Sequence, residues 1–149
     1  MIDIVSEPRD DTYRLLLRTA LEFCPTFSLV WRDQFNFNQS AVDFEIEIRP
    51  FLEKEQRNDA WPGTRLLNHF AVVRFYRYTN ESMLLLKKIS GLYEWQPPDL
   101  PEDLAMYREN GQCWLGTVAH EADAFLDASA EEIDYLSKRI PSLKFKLHQ

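Results

Sequence analysis

Glycine is scarce: Gly63, Gly91, Gly111 and Gly116 are the four in 149 residues. No two fall at the G-x-G-x-x-G or G-x-x-x-x-G-K-[ST] spacing through which backbone amides approach phosphates, so the common nucleotide-binding loops are disfavoured. The G-x-S-x-G turn that raises a serine nucleophile is absent as well, which removes the simplest acyl-transfer chemistry. Cysteine is rarer still. Cys24 and Cys113 stand far apart without a C-x-x-C pair and read as two reduced, buried, small apolar side chains. Cations are in deficit, 17 Lys plus Arg against 24 Asp plus Glu, and the net charge of −7 argues against nucleic acid, which is held by neutralising its phosphates. A basic or neutral protein is the expected partner. Apolar runs such as Met83 to Leu86 fall far short of the ~20 residues that cross a bilayer, and no basic-plus-apolar leader opens the chain. The sequence therefore points to a cytoplasmic protein with no membrane partner and no cofactor, and it carries no signal for oligomeric state.

What is present suits one globular domain over residues 1–149, with 45% hydrophobic and 28% charged residues and no repeat or linker. Leu15, Leu16, Ala20 and Phe23 recur at helical spacing behind acidic residues and ahead of Pro25, predicting a helix from Asp11 to Phe23. Phe27 to Arg32 reads as a strand. Residues 40–55 fit both periods; the spacing of Phe44, Ile48, Phe51 and Leu52, with Ser40 and Asp43 as a cap, favours a helix ended or kinked at Pro50. Trp61-Pro62-Gly63-Thr64 has the residues of a type II turn. A strand over His69–Tyr78 leads into a helix capped by Thr79, running to about Ser90 and closed by Gly91. Asn110-Gly111 predicts a type I′ hairpin that sets Tyr107 against Trp114 and Met106 against Leu115. A short strand over Ala122–Leu126 follows. Ser129 and Glu132 then form a capping box for a helix with Ile133, Leu136 and Ile140 on one face, stopped by Pro141. The expected fold is α+β, a single domain with a largely antiparallel sheet of four or five strands and helices packed on it.

Candidate functional residues follow from charge and aromatics. Between Glu102 and Asp134 nine carboxylates face one cation, Arg108, whereas residues 51–100 are nearly balanced. Gathered on one face, such a surplus would steer a basic protein into contact. Glu102, Asp103, Glu121, Asp123, Asp127 and Glu131 are the candidate acids, and Trp61 and Trp95, beside turn prolines, the candidate exposed anchors. Ala119-His120-Glu121-Ala122-Asp123 offers an alternative, a small metal-assisted hydrolase with His69 as a distant helper. Ala124 stands where H-E-x-x-H needs its second histidine, and neighbouring strand residues point to opposite faces, so that cluster reads first as solvated strand-end polarity. His69 reads as a half-buried, hydrogen-bonded side chain and His148 as part of a mobile terminus.

The motifs Trp61-Pro62-Gly63-Thr64, Leu92-Tyr93-x-Trp95, Leu100-Pro101-Glu102-Asp103-Leu104 and Trp114-Leu115-x-x-x-Ala119-His120-Glu121-x-Asp123 together resemble a group of small bacterial proteins with no established activity. The resemblance covers about residues 60–143 and implies a bacterial, cytoplasmic protein without naming catalytic residues. Size, acidity and the missing catalytic signatures then favour a non-catalytic interaction protein, an immunity protein that neutralises a bacterial toxin by occlusion.

Overall fold

A computed structural model describes residues 1–147; His148 lies outside the described residues. The chain runs β1 (Ile2–Ile4), α1 (Asp10–Ala20), β2 (Thr26–Trp31), α2 (Gln39–Ile48), β3 (Leu52–Asn58), a small hairpin β4 (Ala60–Trp61) and β5 (Thr64–Arg65), and β6 (Ala71–Arg77). It continues through α3 (Asn80–Leu86), β7 (Glu102–Tyr107), β8 (Cys113–Val118), β9 (Asp123–Leu126), α4 (Ala130–Arg139) and β10 (Phe145–Leu147). Eight strands form one antiparallel sheet in the order β10-β1-β9-β8-β7-β2-β6-β3. The fold is α+β with a large antiparallel sheet.

Strand alternation sorts two faces. Phe27 and Leu29 of β2, Tyr76 of β6 and Met106 of β7 point to one side and share a core with Tyr13, Leu16 and Leu17 of α1, Phe44 and Ile48 of α2, Met83 and Leu86 of α3, and Leu136 of α4. All four helices thus bury their apolar stripes on the same face. Val30, Ala71 and Val73 point the other way, into a smaller cluster with Trp61, flanked by half-buried Leu66 and Phe75. The β4–β5 hairpin lies across this second face. Its turn needs Gly63 twice over: φ is +85°, and an added Cβ would stand 2.6 Å from Val118 Cγ2. At the sheet's margin β3 pairs with β6 alone and is exposed over nearly its whole length.

Several local expectations hold. α1 has Asp10 and Asp11 in its first turn and Arg18 in its last, matching the helix dipole, and Thr79 and Ser129 complete capping boxes with Ser82 and Glu132. Others need correction. The sheet has eight strands rather than four or five, because β1 and β10 are too short to show a period and β3 is read as helix. α2 ends at Ile48 as Pro50 requires, but its cap is Asn38, without a side-chain bond, and Ser40 donates to the Asp99 carbonyl instead. Past Pro50 the chain turns extended through Leu52–Asn58. Gly91 does not close α3: its φ is −157°, in extended backbone, and it bridges to Arg9.

The Asn110-Gly111 hairpin is of a different type. Gly111 alone has positive φ, and its amide bonds the Arg108 carbonyl at 2.9 Å, giving a type I turn followed by a left-handed glycine. That extra residue puts Cys113, not Trp114, opposite Tyr107, and a bulge at Trp114 then restores Met106 opposite Leu115. Released from the cross-strand pair, Trp114 is fully buried and stacks on Phe23 at 5.2 Å between centroids. Cys24 is buried and Cys113 half-buried; burial pushes both thiols up to about 12. Among the described residues no helix is long and apolar enough to cross a membrane.

Candidate functional site

The end of the sheet where β2 and β8 finish and β6 and β7 begin gathers four loops. One follows β2 through residues 32–38, a second is the segment from the β4–β5 hairpin to Phe70, a third enters β7 from Trp95, and the fourth is the turn Ala119–Glu121. Pairing between β2 and β7 steps from Ser28↔Ala105 to Val30↔Glu102, so two residues of β7, Asp103 and Leu104, oppose Leu29. Asp103 is the bulge residue, at φ +59°, a conformation Asp accepts more readily than most side chains.

The bulge buries two consecutive carboxylates. Asp103 is 1% exposed; Oδ2 accepts from Trp61 Nε1 at 2.8 Å and Oδ1 from the Ala119 amide at 2.9 Å. Its own amide donates to the Trp95 carbonyl at 3.2 Å. One residue therefore fastens the hairpin, the 119–121 turn and the loop entering β7. Glu102, 5% exposed, faces Arg32: Nη2 donates to Oε2 at 3.1 Å, and Nε approaches Oε1 at 2.6 Å without hydrogen-bond alignment. The Arg32 guanidinium lies near both the Trp61 and Phe35 rings, 5.1 and 5.9 Å from their centroids. Above them opens a cleft of about 210 Å³ lined by Arg32, Phe35, Gln96, Pro97, Glu102 and His120.

Burial is the main force that raises both carboxyls above the usual range. Asp103 adds to the rise at Glu102, while Arg32 and His120 oppose it; at Asp103 the Ala119 amide and Trp61 indole oppose it most. The folded chain binds these protons more tightly than the unfolded one, so the pair contributes most to stability below the ordinary carboxylate value, about pH 4. That contribution is lost as pH rises through the elevated folded values. Glu132, held low by its bonds from Arg108, has the opposite slope and loses its contribution as pH falls. Replacing Asp103 by asparagine leaves Glu132 untouched, so between pH 4.5 and 7 the urea midpoint of Asp103→Asn should fall less, or rise more, than that of the native chain. Parallel midpoints would show that Asp103 carries no linked proton.

The carboxylate run does not form one face. Glu102 and Asp103 are enclosed, Glu121 and Asp123 stand exposed at the cleft end, and Asp127 is exposed at the far end of β9, about 13 Å away at strand rise. Glu131 is exposed in the first turn of α4, where acids favour the helix, and Asp134 pairs with Lys138. Nor are the tryptophans exposed. Trp95 is 0% exposed, donating to the Tyr13 hydroxyl at 3.1 Å, and Trp61 is 7% exposed over the sheet.

His120 is exposed and 4.0 Å from Glu121, and among the described residues no three His, Cys, Asp or Glu side chains converge as metal ligands. His69, expected half-buried, is exposed. A larger groove of about 470 Å³ lies on the same sheet face at its other end, lined by Lys54, Phe75, Tyr107 and Arg108 among others, and holds none of the candidate residues.

Sequence reading missed Arg32, Phe35, Leu67 and Phe70. Arg32 follows an apolar strand, but its partner lies 70 positions on. Phe35, Leu67 and Phe70 are 41, 82 and 55% exposed, and the signal for Phe35 was visible: a large ring inside the polar stretch Asp33–Asn36. Phe35 follows β2 and Phe70 precedes β6, neighbouring strands with Trp31 opposite Val72, so both stand at the same end of the sheet. Compared with protein-family models, curated proteins and solved structures, the chain matches none.

Proposed function

We propose that the chain is a protein-interaction module that receives a basic protein on the loop-bearing end of its sheet. The observation that carries this reading is the projection of Phe35, Leu67 and Phe70 from adjacent loops of that end. Exposed apolar side chains such as Val42, Ile46 and Leu84 also stand elsewhere on the molecule, and it is the gathering of three at one end of the sheet, beside a cleft, that favours a contact surface there. Exposed carboxylates accompany them: Asp59 in the hairpin segment, Asp99 in the loop entering β7, and Glu121 and Asp123 beside the cleft. This arrangement suits apolar anchors within an acidic rim.

Acidic steering thus comes from a ring of loops rather than from one continuous patch between residues 102 and 134. The net charge of −7 and the modest size support a cytoplasmic antidote that blocks a basic toxin by covering it.

Affinity capture from the native cell tests the reading, comparing the native chain with Phe35→Ser/Leu67→Ser/Phe70→Ser. All three side chains are exposed, so the variant should keep its unfolding midpoint while losing a basic protein that the native chain retains at low salt and releases at high salt. Against that captured protein, Glu121→Lys/Asp123→Lys should slow association about tenfold at low salt and less as salt screens the charges. Identical capture by native and variant chains would end the proposal.

A further inference from the structure

We infer that the cleft above Glu102 is a socket for one cationic side chain, an ammonium or guanidinium, supplied by the basic partner; the inference rests on the reading just given. The cavity has the size for it. At about 210 Å³ it holds the bulk volume of roughly seven waters and falls below the ~300 Å³ at which pockets for drug-sized ligands begin, so it fits a side chain better than a free metabolite.

Its floor has the charge for it. Two carboxylates, Glu102 and Asp103, are buried beside a single guanidinium, Arg32, so the layer carries more negative charge than it balances. Burial raises both carboxyls, and at Glu102 the neighbouring Asp103 charge adds to the rise. Glu102 lines the cleft at 5% exposure, and its Oε1, ion-paired to Arg32 Nε, makes no hydrogen bond. A carboxylate offers about four acceptor positions, and Arg32 fills few of them.

The walls match as well. Phe35 and Pro97 are apolar surfaces along which the methylene stem of a lysine or arginine can lie while its head reaches Glu102. Gln96 turns its amide nitrogen to the Tyr93 carbonyl at 2.8 Å, which leaves its amide oxygen as a further acceptor on the wall. An apolar or anionic side chain would have no donor to offer the carboxylate, whereas a cation brings both donors and opposite charge.

The test uses small probes on the isotopically labelled full chain, followed by NMR: N-acetyl-lysine methylamide, N-acetyl-arginine methylamide and the uncharged N-acetyl-norleucine methylamide. At least one cationic probe should shift the amides of Glu102, Ala119 and His120 and the Trp61 indole saturably in the millimolar range, and norleucine should not. Whichever cation binds more tightly identifies the head group. Glu102→Gln should weaken that probe about tenfold. Because Glu102→Gln could loosen the fold, Phe35→Ala, altered at an exposed wall, serves as a second variant that should also weaken the cationic probe. Equal response to norleucine, no saturable shift at the cleft, or full affinity in both variants would overturn the inference. Failure of the probes while the loop-end triple variant still loses its basic partner would remove the socket and leave the interaction module standing. Binding of the probes with capture unaffected by the triple variant would leave a cation-binding cleft but overturn its assignment to a basic partner received at this end of the sheet.

Discussion

Asp103→Ala is expected to destabilise the protein by about 2–4 kcal/mol, an apparent fall of roughly 5–15 °C in Tm for a domain of this length. The substitution strands two buried donors, the Trp61 indole N–H and the Ala119 amide. Each costs about 1–3 kcal/mol when left unsatisfied. Alanine also resists the left-handed backbone that aspartate holds at φ +59°. Removing a buried carboxylate recovers part of the cost, because its desolvation penalty disappears with it. Asp103→Asn should lose about half as much, since it keeps one acceptor oxygen and tolerates the same backbone. Thermal and urea unfolding of the three chains decide the matter. Equal losses for alanine and asparagine would mean that the two hydrogen bonds do not hold the loops.

A second large effect is expected at Trp95. Trp95→Ala removes a fully buried indole that meets the Phe44 ring edge-on at 5.1 Å and donates to Tyr13. Truncating a buried Trp costs about 3–5 kcal/mol. Trp95→Phe keeps much of the volume and should cost appreciably less, the remaining loss being the hydrogen bond and part of the packing. Were Trp95 instead an anchor for a partner, alanine would leave the unfolding midpoint unchanged and weaken only binding. Denaturant titration separates these outcomes directly.

The two residues show why the site was harder to read than the fold. Helices α1, α3 and α4 announced themselves through spacing, caps and prolines, all encoded within a dozen positions. β3 did not, because its residues, Leu-Glu-Lys-Glu-Gln-Arg-Asn, have no apolar alternation for a strand to display. β1 and β10 have three residues each, and their existence depends on pairing between the two ends of the chain. Glu102 and Asp103 were expected among the exposed acids, yet both are buried, and their burial follows from a bulge opposite Leu29 and from a tryptophan 42 positions earlier, contacts no local pattern carries. Trp61 and Trp95 were expected outside on the strength of neighbouring prolines. Proline marks where the backbone turns, not which way a large side chain points. The exposed Phe35 was within reach of the same local reasoning, since its polar neighbours offer it nothing to pack against.

The open flank at β3 has its own consequence for how copies of this molecule share a solution. A seven-residue strand with unpaired backbone groups on one side is a template for further strands and, eventually, fibrils. Here it carries Glu53, Lys54, Glu55 and Arg57, most of them well hydrated, and a register shift between Leu52 and Lys54 disturbs its line. An incoming β-segment would have to strip water from those charges before gaining a single hydrogen bond. The composition that hides β3 from sequence reading therefore also opposes strand addition along this free border.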